Sequence, residues 1–432
     1  LTAEEDNPSS GQGWCTTLTE SCATPGAFHP TTLRRGTTMG EARLFESEDG
    51  WWYADHPKVA HLPAGAVENG RLVDEARQTL EQGGFFKPKK APFGLTVLTA
   101  TSCNLGCPYC FQNTAPADES VTPFAPPRIS RRLLAQDDVE RIANFAQERM
   151  SLLDFDSISL VIFGGEPLLN PKGCLELLRR LRPLGLAESM MISNCALLTP
   201  SLARQLDDEG LQRIQVSFDG HRSDHDGTRF DRRGAGTYDK IMKNVGRAMQ
   251  ETSLAWKIRV NVSHHNLEGI PQLIEDLAKL PIAQSSVSFA PALVDDHNIG
   301  YENHLSYENL ADKFIEMIDL AFDAGLSVPA LGVPVSKCVH CSGFAGASGA
   351  VVSADGTLYS CWETAGKPEW TVGNISDGYL PEQEIKDRWV ACDAAPKPHG
   401  TKAQRKNFYD TVDNHILTRT HLRRDTKKAG RI

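Results

Sequence analysis

From Pro92 onward, short apolar runs alternate with amphipathic stretches. Leu95–Ala100, Ile158–Phe163, Met190–Asn194, Ile214–Phe218, Ile258–Val262 and Val287–Ala290 are bounded runs of strand length, rich in branched and aromatic residues. Helical patterns lie between most of them. Val139, Ile142, Phe145, Ala146 and Met150 form one apolar face at helical spacing; Leu175–Leu181, Leu202–Leu206 and Ile241–Met249 carry others. Strand and helix in alternation predict a parallel sheet with helices outside it. Right-handed crossovers curl such a sheet into a partial (β/α)6 barrel, an α/β fold. Ligands of parallel α/β folds bind at the carboxyl ends of the strands, so the loops that follow each run are where chemistry is expected.

The flanks read differently. Residues 1–40 are rich in Thr, Ser, Gly and Pro without apolar period and are read as a disordered tail. Residues 41–92 predict a small N-terminal module, with a hairpin strand pair over Glu48–Tyr53 and a helix including Val73–Leu80. The barrel pattern occupies 93–300. A helical linker follows over 301–333, with its helix at Leu310–Ala324. Residues 334–395 are rich in Gly and Cys and predict a small irregular module with short strands. Residues 396–432 are polar and basic, predicting a tail with a helix around Phe408–Leu417 that then frays.

Composition narrows the classes of function. The chain has 432 residues, net charge −10 and a sequence pI of about 5.7. Without a strongly basic domain, nucleic acid is not the expected partner. No apolar run reaches the roughly 18 residues that span a bilayer, and the first residues are polar and acidic, unlike a signal peptide. A cytoplasmic protein without membrane contact is therefore expected. Eleven cysteines in that setting point to metal-bound or reactive thiols, not to a disulfide framework.

Three of those cysteines crowd into Cys103-Asn104-Leu105-Gly106-Cys107-Pro108-Tyr109-Cys110-Phe111, directly after the first strand run. Structural zinc sites use four closed ligands, usually as two separated pairs. Three thiolates in one loop suit an iron–sulfur cube with one iron left open for another ligand. Zinc, or an electron-transfer cluster with its fourth ligand elsewhere, is the alternative. The Cys-x3-Cys-x2-Cys spacing followed by an aromatic residue resembles the signature of radical S-adenosylmethionine (radical SAM) enzymes. Phe163-Gly164-Gly165-Glu166-Pro167-Leu168, after the second strand, resembles that family's GGEP motif. The resemblance implies a 4Fe–4S cluster on Cys103, Cys107 and Cys110, bound to S-adenosylmethionine. Gly164 and Gly165 would let backbone approach that cofactor, and Glu166 would accept hydrogen bonds from its ammonium group. Asn194, Ser217 and Arg259 are the further cofactor-binding candidates, and Asp219 is the candidate catalytic acid or base facing substrate. Family members often have Asn-Gly where this chain has Asn194-Cys195; Cys195 is read as buried and inert. The implied chemistry is transfer of one electron to the sulfonium, loss of methionine, and hydrogen-atom abstraction by a 5′-deoxyadenosyl radical.

A second group of cysteines opens with Cys338-Val339-His340-Cys341. Ser353-Ala354-Asp355-Gly356-Thr357 predicts a hairpin turn, and Cys361 and Cys392 follow. This stretch resembles the SPASM/Twitch extension of radical SAM enzymes. No cysteine follows Cys392, so the resemblance implies one auxiliary iron–sulfur cluster, of 4Fe–4S type, on Cys338, Cys341, Cys361 and Cys392, with zinc as the alternative. Cys15, Cys22 and Cys174 fit no pattern.

His225-Asp226-Gly227-Thr228-Arg229 and Gly234-Ala235-Gly236-Thr237-Tyr238 resemble segments of radical SAM enzymes that modify peptides. The expectation is a maturase of a ribosomally made precursor peptide, forming a cross-link or related oxidation, with electrons from an external reductant such as flavodoxin or ferredoxin. Residues 41–80 would hold the peptide by strand addition. A dehydrogenase or sulfatase-type maturase built from the same parts is the first alternative. A non-enzymatic two-cluster electron carrier is the second, disfavoured because such a carrier has no use for a methionine site.

Overall fold

A computed structural model describes residues 42–55, 58–86, 91–112, 129–294, 305–331, 343–389 and 400–429. The expectation of a disordered tail over 1–40, together with Cys15, Cys22, Cys338, Cys341 and Cys392, lies outside the described residues.

Three strands open the described chain: β1 (Arg43–Ser47), β2 (Gly50–Asp55) and β3 (Lys58–Pro63), antiparallel with β2 in the middle. The hairpin turn is Glu48-Asp49, so the reading that put the hairpin at Glu48–Tyr53 caught the turn and one of its two strands. The small ladder β4 (Val67–Glu68) and β5 (Arg71–Leu72) leads into helix α1 (Asp74–Gln82). Tyr53, Leu62, Ala76, Leu80 and Phe85 make a separate small core there.

The barrel strands are β6 (Phe93–Ala100), β7 (Ile158–Gly164), β8 (Leu186–Ile192), β9 (Arg213–Phe218), β10 (Ala255–Val262) and β11 (Val287–Leu293). All adjacent pairs among them are parallel, in chain order. Between them run α2 (Gln136–Leu153), α3 (Pro171–Leu181), α4 (Pro200–Asp208), α5 (Arg222–Thr228), α6 (Tyr238–Glu251) and α7 (Ile270–Ala278). The expected α/β parallel arrangement is thus present. Along β10 burial alternates. Trp256, Ile258, Val260 and Val262 are packed into the main core, while Lys257, Arg259 and Asn261 occupy the other face and are half-buried. That second face is the polar inside of the curved sheet. Burial, with Arg259 and Arg213 nearby, pulls the Lys257 ammonium below its usual range.

Helix α8 (Ala311–Asp323) follows β11, then strands β12 (Gly349–Val352), β13 (Thr357–Tyr359), β14 (Gly373–Asn374) and β15 (Gly378–Tyr379), the short helix α9 (Glu382–Ile385) and the long helix α10 (Lys402–Ala429). The four strands do not stand apart from the barrel. β12 runs parallel to β6, and β13, β14 and β15 add on antiparallel, giving one ten-stranded sheet. Gly349 makes the junction possible, because a Cβ there would lie 2.3 Å from the Gly94 carbonyl oxygen.

Helix α10 is longer than its sequence pattern, which placed fraying after Leu417. Phe408, Val412 and Ile416 share one buried face at four-residue spacing and join the main core, with Phe408 edge-on to Phe314 of α8. The wholly buried Asp413 accepts from the Arg43 Nη1 at 2.7 Å and from the Leu331 backbone N–H at 2.5 Å; Arg43 also pairs with Asp410. Phe45, Trp52 and Ala54 pack against Leu417. Tertiary contacts on both sides thus sustain a helix that its polar composition alone would not.

Candidate functional site

The three-cysteine loop leaves the carboxyl end of β6, as the parallel topology requires. Neighbouring strand ends hold it on two sides. On the β7 side, Gly165 N–H donates to Ala100 O and Glu166 N–H to Ser102 O, both at 2.9 Å. Gly164 has φ +139°, and a Cβ on it would meet Ala100 O at 2.1 Å; one on Gly165 would meet Ser102 O at 2.5 Å. These glycines permit a close approach to the end of β6 and the start of the cysteine loop, beside the approach to a cofactor that the sequence reading expects of them.

Glu166 is fully buried. Its Oε1 accepts from Leu168 N–H (2.9 Å) and the Ser193 hydroxyl (2.8 Å), and its Oε2 from Asn194 N–H (2.7 Å). Burial pushes its pKa up, against the pull of those donors. The carboxylate expected to receive an ammonium group is thus already a hub joining the ends of β7 and β8. The Asn194 amide continues the connection, donating to Asn104 Oδ1 (2.9 Å) and reaching Cys103 Sγ (3.8 Å). Cys195 is buried, with φ +57°. That left-handed conformation explains why glycine suits this position.

On the other side, Leu105 bridges to Asp231, Gly106 N–H donates to Phe230 O (2.9 Å), and Arg232 Nε donates to Cys103 O (2.5 Å). Tyr109, between Cys107 and Cys110, turns its hydroxyl to Asp219 at the end of β9. Arg229 Nη1 donates to the same hydroxyl at 2.8 Å and lies 3.9 Å from Asp219 Oδ1. Thr228 donates to Asp219 Oδ2 (2.9 Å) and Asn261 Nδ2 to Oδ1 (3.0 Å). Asp219 was expected to face substrate as acid or base. The side chain is instead 2% exposed, with both oxygens engaged by protein donors. Behind it, His225 Nδ1 accepts from Asp219 N–H (3.5 Å), and His225 Nε2 contacts the Thr237 hydroxyl (3.2 Å), which donates to Arg229 O (2.5 Å). That hydrogen-bond order places the proton of a neutral imidazole on Nε2. Burial and then Arg229 lower the His225 pKa to about 2.

Ser217 and Arg259 are register partners on β9 and β10, on the inner face of the sheet. Arg259 Nε donates to Asn261 Oδ1 at 3.0 Å, which attaches it to the Asp219 group. Cys361, just after β13, is buried. The next residue, Trp362, packs against Phe163 (5.6 Å between ring centroids), and Phe163 stacks with Phe111 beside Cys110 (6.3 Å). Lys367, whose pKa burial lowers, lies within electrostatic reach of both Cys361 and Cys110. Sequence reasoning missed Tyr109, Arg229 and Thr228 as partners of Asp219. The available signals were the position of Tyr109 between two cysteines and the unusual density of polar residues in Asp224–Arg229.

The residues present fit an iron–sulfur cluster. None of the described cysteines is in a disulfide. The Leu105 N–H points at Cys103 Sγ at 3.4 Å, a hydrogen bond that suits a thiolate. Burial pushes the Cys107 thiol up to about 12 and raises Cys103 too; a bound iron would favour their thiolate form. Among the described residues no three His, Cys, Asp or Glu side chains gather tightly enough for a single metal ion. A cube differs in this respect, since each thiolate binds its own iron.

The cysteine loop at the end of β6 and the Gly-Gly-Glu-Pro turn beside it lie within residues 97–277, which match the model of the radical SAM superfamily. Curated relatives include an AdoMet-dependent heme synthase of Methanosarcina barkeri, 26% identical over 224 residues (51% of this chain, 56% of the relative), and a GTP 3′,8-cyclase of Rippkaea orientalis, 29% identical over 189 residues (42% and 50%). The chain spans about half the length of these relatives. Among solved structures, anSMEcpe with bound AdoMet superposes with a TM-score of 0.56 at 17% identity, covering 76% of this chain and 99% of the other. The same protein with AdoMet and the Cp18Cys peptide gives 0.52 at 16%, with the same coverage. At these identities the likeness is one of fold. Among the described residues no helix is long and apolar enough to cross a membrane.

Proposed function

We propose that this chain is a radical SAM enzyme that modifies a peptide. The observation that carries the reading is the loop of Cys103, Cys107 and Cys110, fixed at the carboxyl end of β6 against Gly164-Gly165-Glu166-Pro167. These three cysteines would hold a 4Fe–4S cluster. When bound, the cluster and S-adenosylmethionine supply a one-electron route to hydrogen-atom abstraction from an unactivated carbon.

The chain's own residues contribute position and shielding. Glu166 and Asn194 fix the loop from one side, and Asp219, Tyr109 and Arg229 from the other. Lys257, Arg259 and Ser217 line the polar inner face, where a carboxylate group of cofactor or substrate would find cations. Phe111, Phe163 and Trp362 keep water from the side of the loop that faces Cys361. Cys361 would be one ligand of an auxiliary cluster completed by Cys338, Cys341 and Cys392. A fold shared with a protein solved with a peptide supports the substrate class, and β3 is an edge strand of its sheet, where a peptide strand could add. Electrons would come from a flavodoxin or ferredoxin. A second reading, a small-molecule substrate, is favoured by the curated relatives, which include a cyclase named for GTP.

Anaerobic reconstitution tests the proposal. The wild-type chain should bind four irons at the loop and form 5′-deoxyadenosine under reduction, and replacing Cys103, Cys107 and Cys110 together by Ala should abolish both. Mass spectrometry of the short peptide encoded nearest the gene should show a modified product. An unmodified peptide alongside turnover of a nucleotide would move the assignment to the small-molecule reading.

A further inference from the structure

We propose that Asp219 and Arg229 are a buried charge pair that sets the electron affinity of the cluster carried by the cysteine loop, with Tyr109 as the rigid link between pair and loop. This rests on the proposed cluster at Cys103, Cys107 and Cys110. Both groups are positioning residues, acting through the loop and the field they create.

The geometry leaves the pair little freedom. The Tyr109 hydroxyl is shared by Asp219 and Arg229, and the Tyr109 backbone separates two of the three cysteines by one residue on one side and none on the other. Asp219 is locked by Thr228 and Asn261 as well. Arg229 is locked from behind: its N–H donates to His225 O (2.6 Å), and its carbonyl accepts from Thr237. Its Nε is buried and meets no hydrogen-bond acceptor among the described residues.

Reduction adds one electron, and so one negative charge, to the cluster. In a water-poor surrounding a fixed cation favours the reduced state and a fixed anion opposes it, each far more strongly than in water. A paired cation and anion largely cancel, and removing either exposes the other. The two one-sided substitutions must therefore shift the midpoint potential in opposite directions. A role confined to folding carries no such sign.

The experiment is a potentiometric titration of the reconstituted holoenzyme, followed by electron paramagnetic resonance, with iron counted for each variant. Asp219→Asn should raise the midpoint potential, Arg229→Gln should lower it, and the double variant should return close to wild type. Shifts of the same sign, or unchanged potentials with iron retained, overturn the proposal. If Arg229→Gln does not fold, Asp219→Asn and the double variant decide: the rise in the first must vanish in the second, and its persistence overturns the pairing. A wild-type chain that takes up no cluster overturns the proposed function itself, and the charge pair with it.

Discussion

Two buried carboxylates flank the cysteine loop, and they are held by opposite kinds of chemistry. Glu166 accepts from two backbone N–H groups and one hydroxyl, all uncharged. Asp219 sits among a phenol, a hydroxyl, an amide and a guanidinium 3.9 Å away. The first arrangement joins two strand ends and is compatible with a raised pKa. The second places full charges behind the loop. Burying a charge is costly unless it is paired and hydrogen-bonded, so the two sides carry different liabilities. The Glu166 side depends on satisfied donors, whereas the Asp219 side depends on charge balance.

The largest effect should come from emptying the uncharged side. Glu166→Ala leaves the donors of Leu168, Ser193 and Asn194 without their acceptor, at about 1–3 kcal/mol for each unsatisfied buried group. A loss of several kcal/mol in urea denaturation is expected, along with weaker S-adenosylmethionine binding. A fall in affinity with undiminished stability would show that the carboxylate serves the cofactor alone and that the three donors find other partners.

An intermediate effect should come from pH on the charged side. His225 is neutral in the folded chain, its pKa lowered from 6.5 to about 2. Below pH 6.5 the unfolded chain takes up a proton that the folded chain refuses. The contribution is therefore complete above that pH and is lost as pH falls towards 2, at a limiting slope of about 1.4 kcal/mol per unit. Between pH 7.5 and 5.5 stability should drop by about 1.4 kcal/mol from this residue, and His225→Gln should flatten that part of the curve. An equally steep profile in the variant would assign the drop to other groups.

The smallest effect is expected at Cys195, next to the Asn194 that ties the Glu166 side to the cysteine loop. Cys195→Gly relieves a left-handed φ, worth about 1 kcal/mol, and gives up a small buried side chain of similar worth. The melting temperature should therefore barely change. A marked loss would give the thiol a role that its buried position does not suggest.

Much of this was legible along the chain. The six strand runs are short, apolar and separated by amphipathic stretches, so local pattern and topology agree. The cysteine spacing and the Gly-Gly-Glu-Pro turn are contiguous, and each can be read within a few residues. The hairpin at Asp355-Gly356 was visible for the same reason. Other features involve residues far apart. Glu166 reads as a free acceptor until Ser193 and Asn194 are seen beside it. Asp219 reads as a free acid until Tyr109, more than a hundred residues earlier, and Arg229 close in on it.

Sequence alone therefore determined the alternation of strands and helices, the end of the sheet where the loop emerges, and the residue types available there, because hydrophobic period and turn chemistry act over a few residues. Tertiary structure decided that β12 extends the barrel sheet beside β6, that α10 continues past Leu417, and which partners satisfy each buried polar group. Those outcomes depend on pairings between distant segments, whose strength comes from desolvation and geometry in the folded chain and leaves no local period to read.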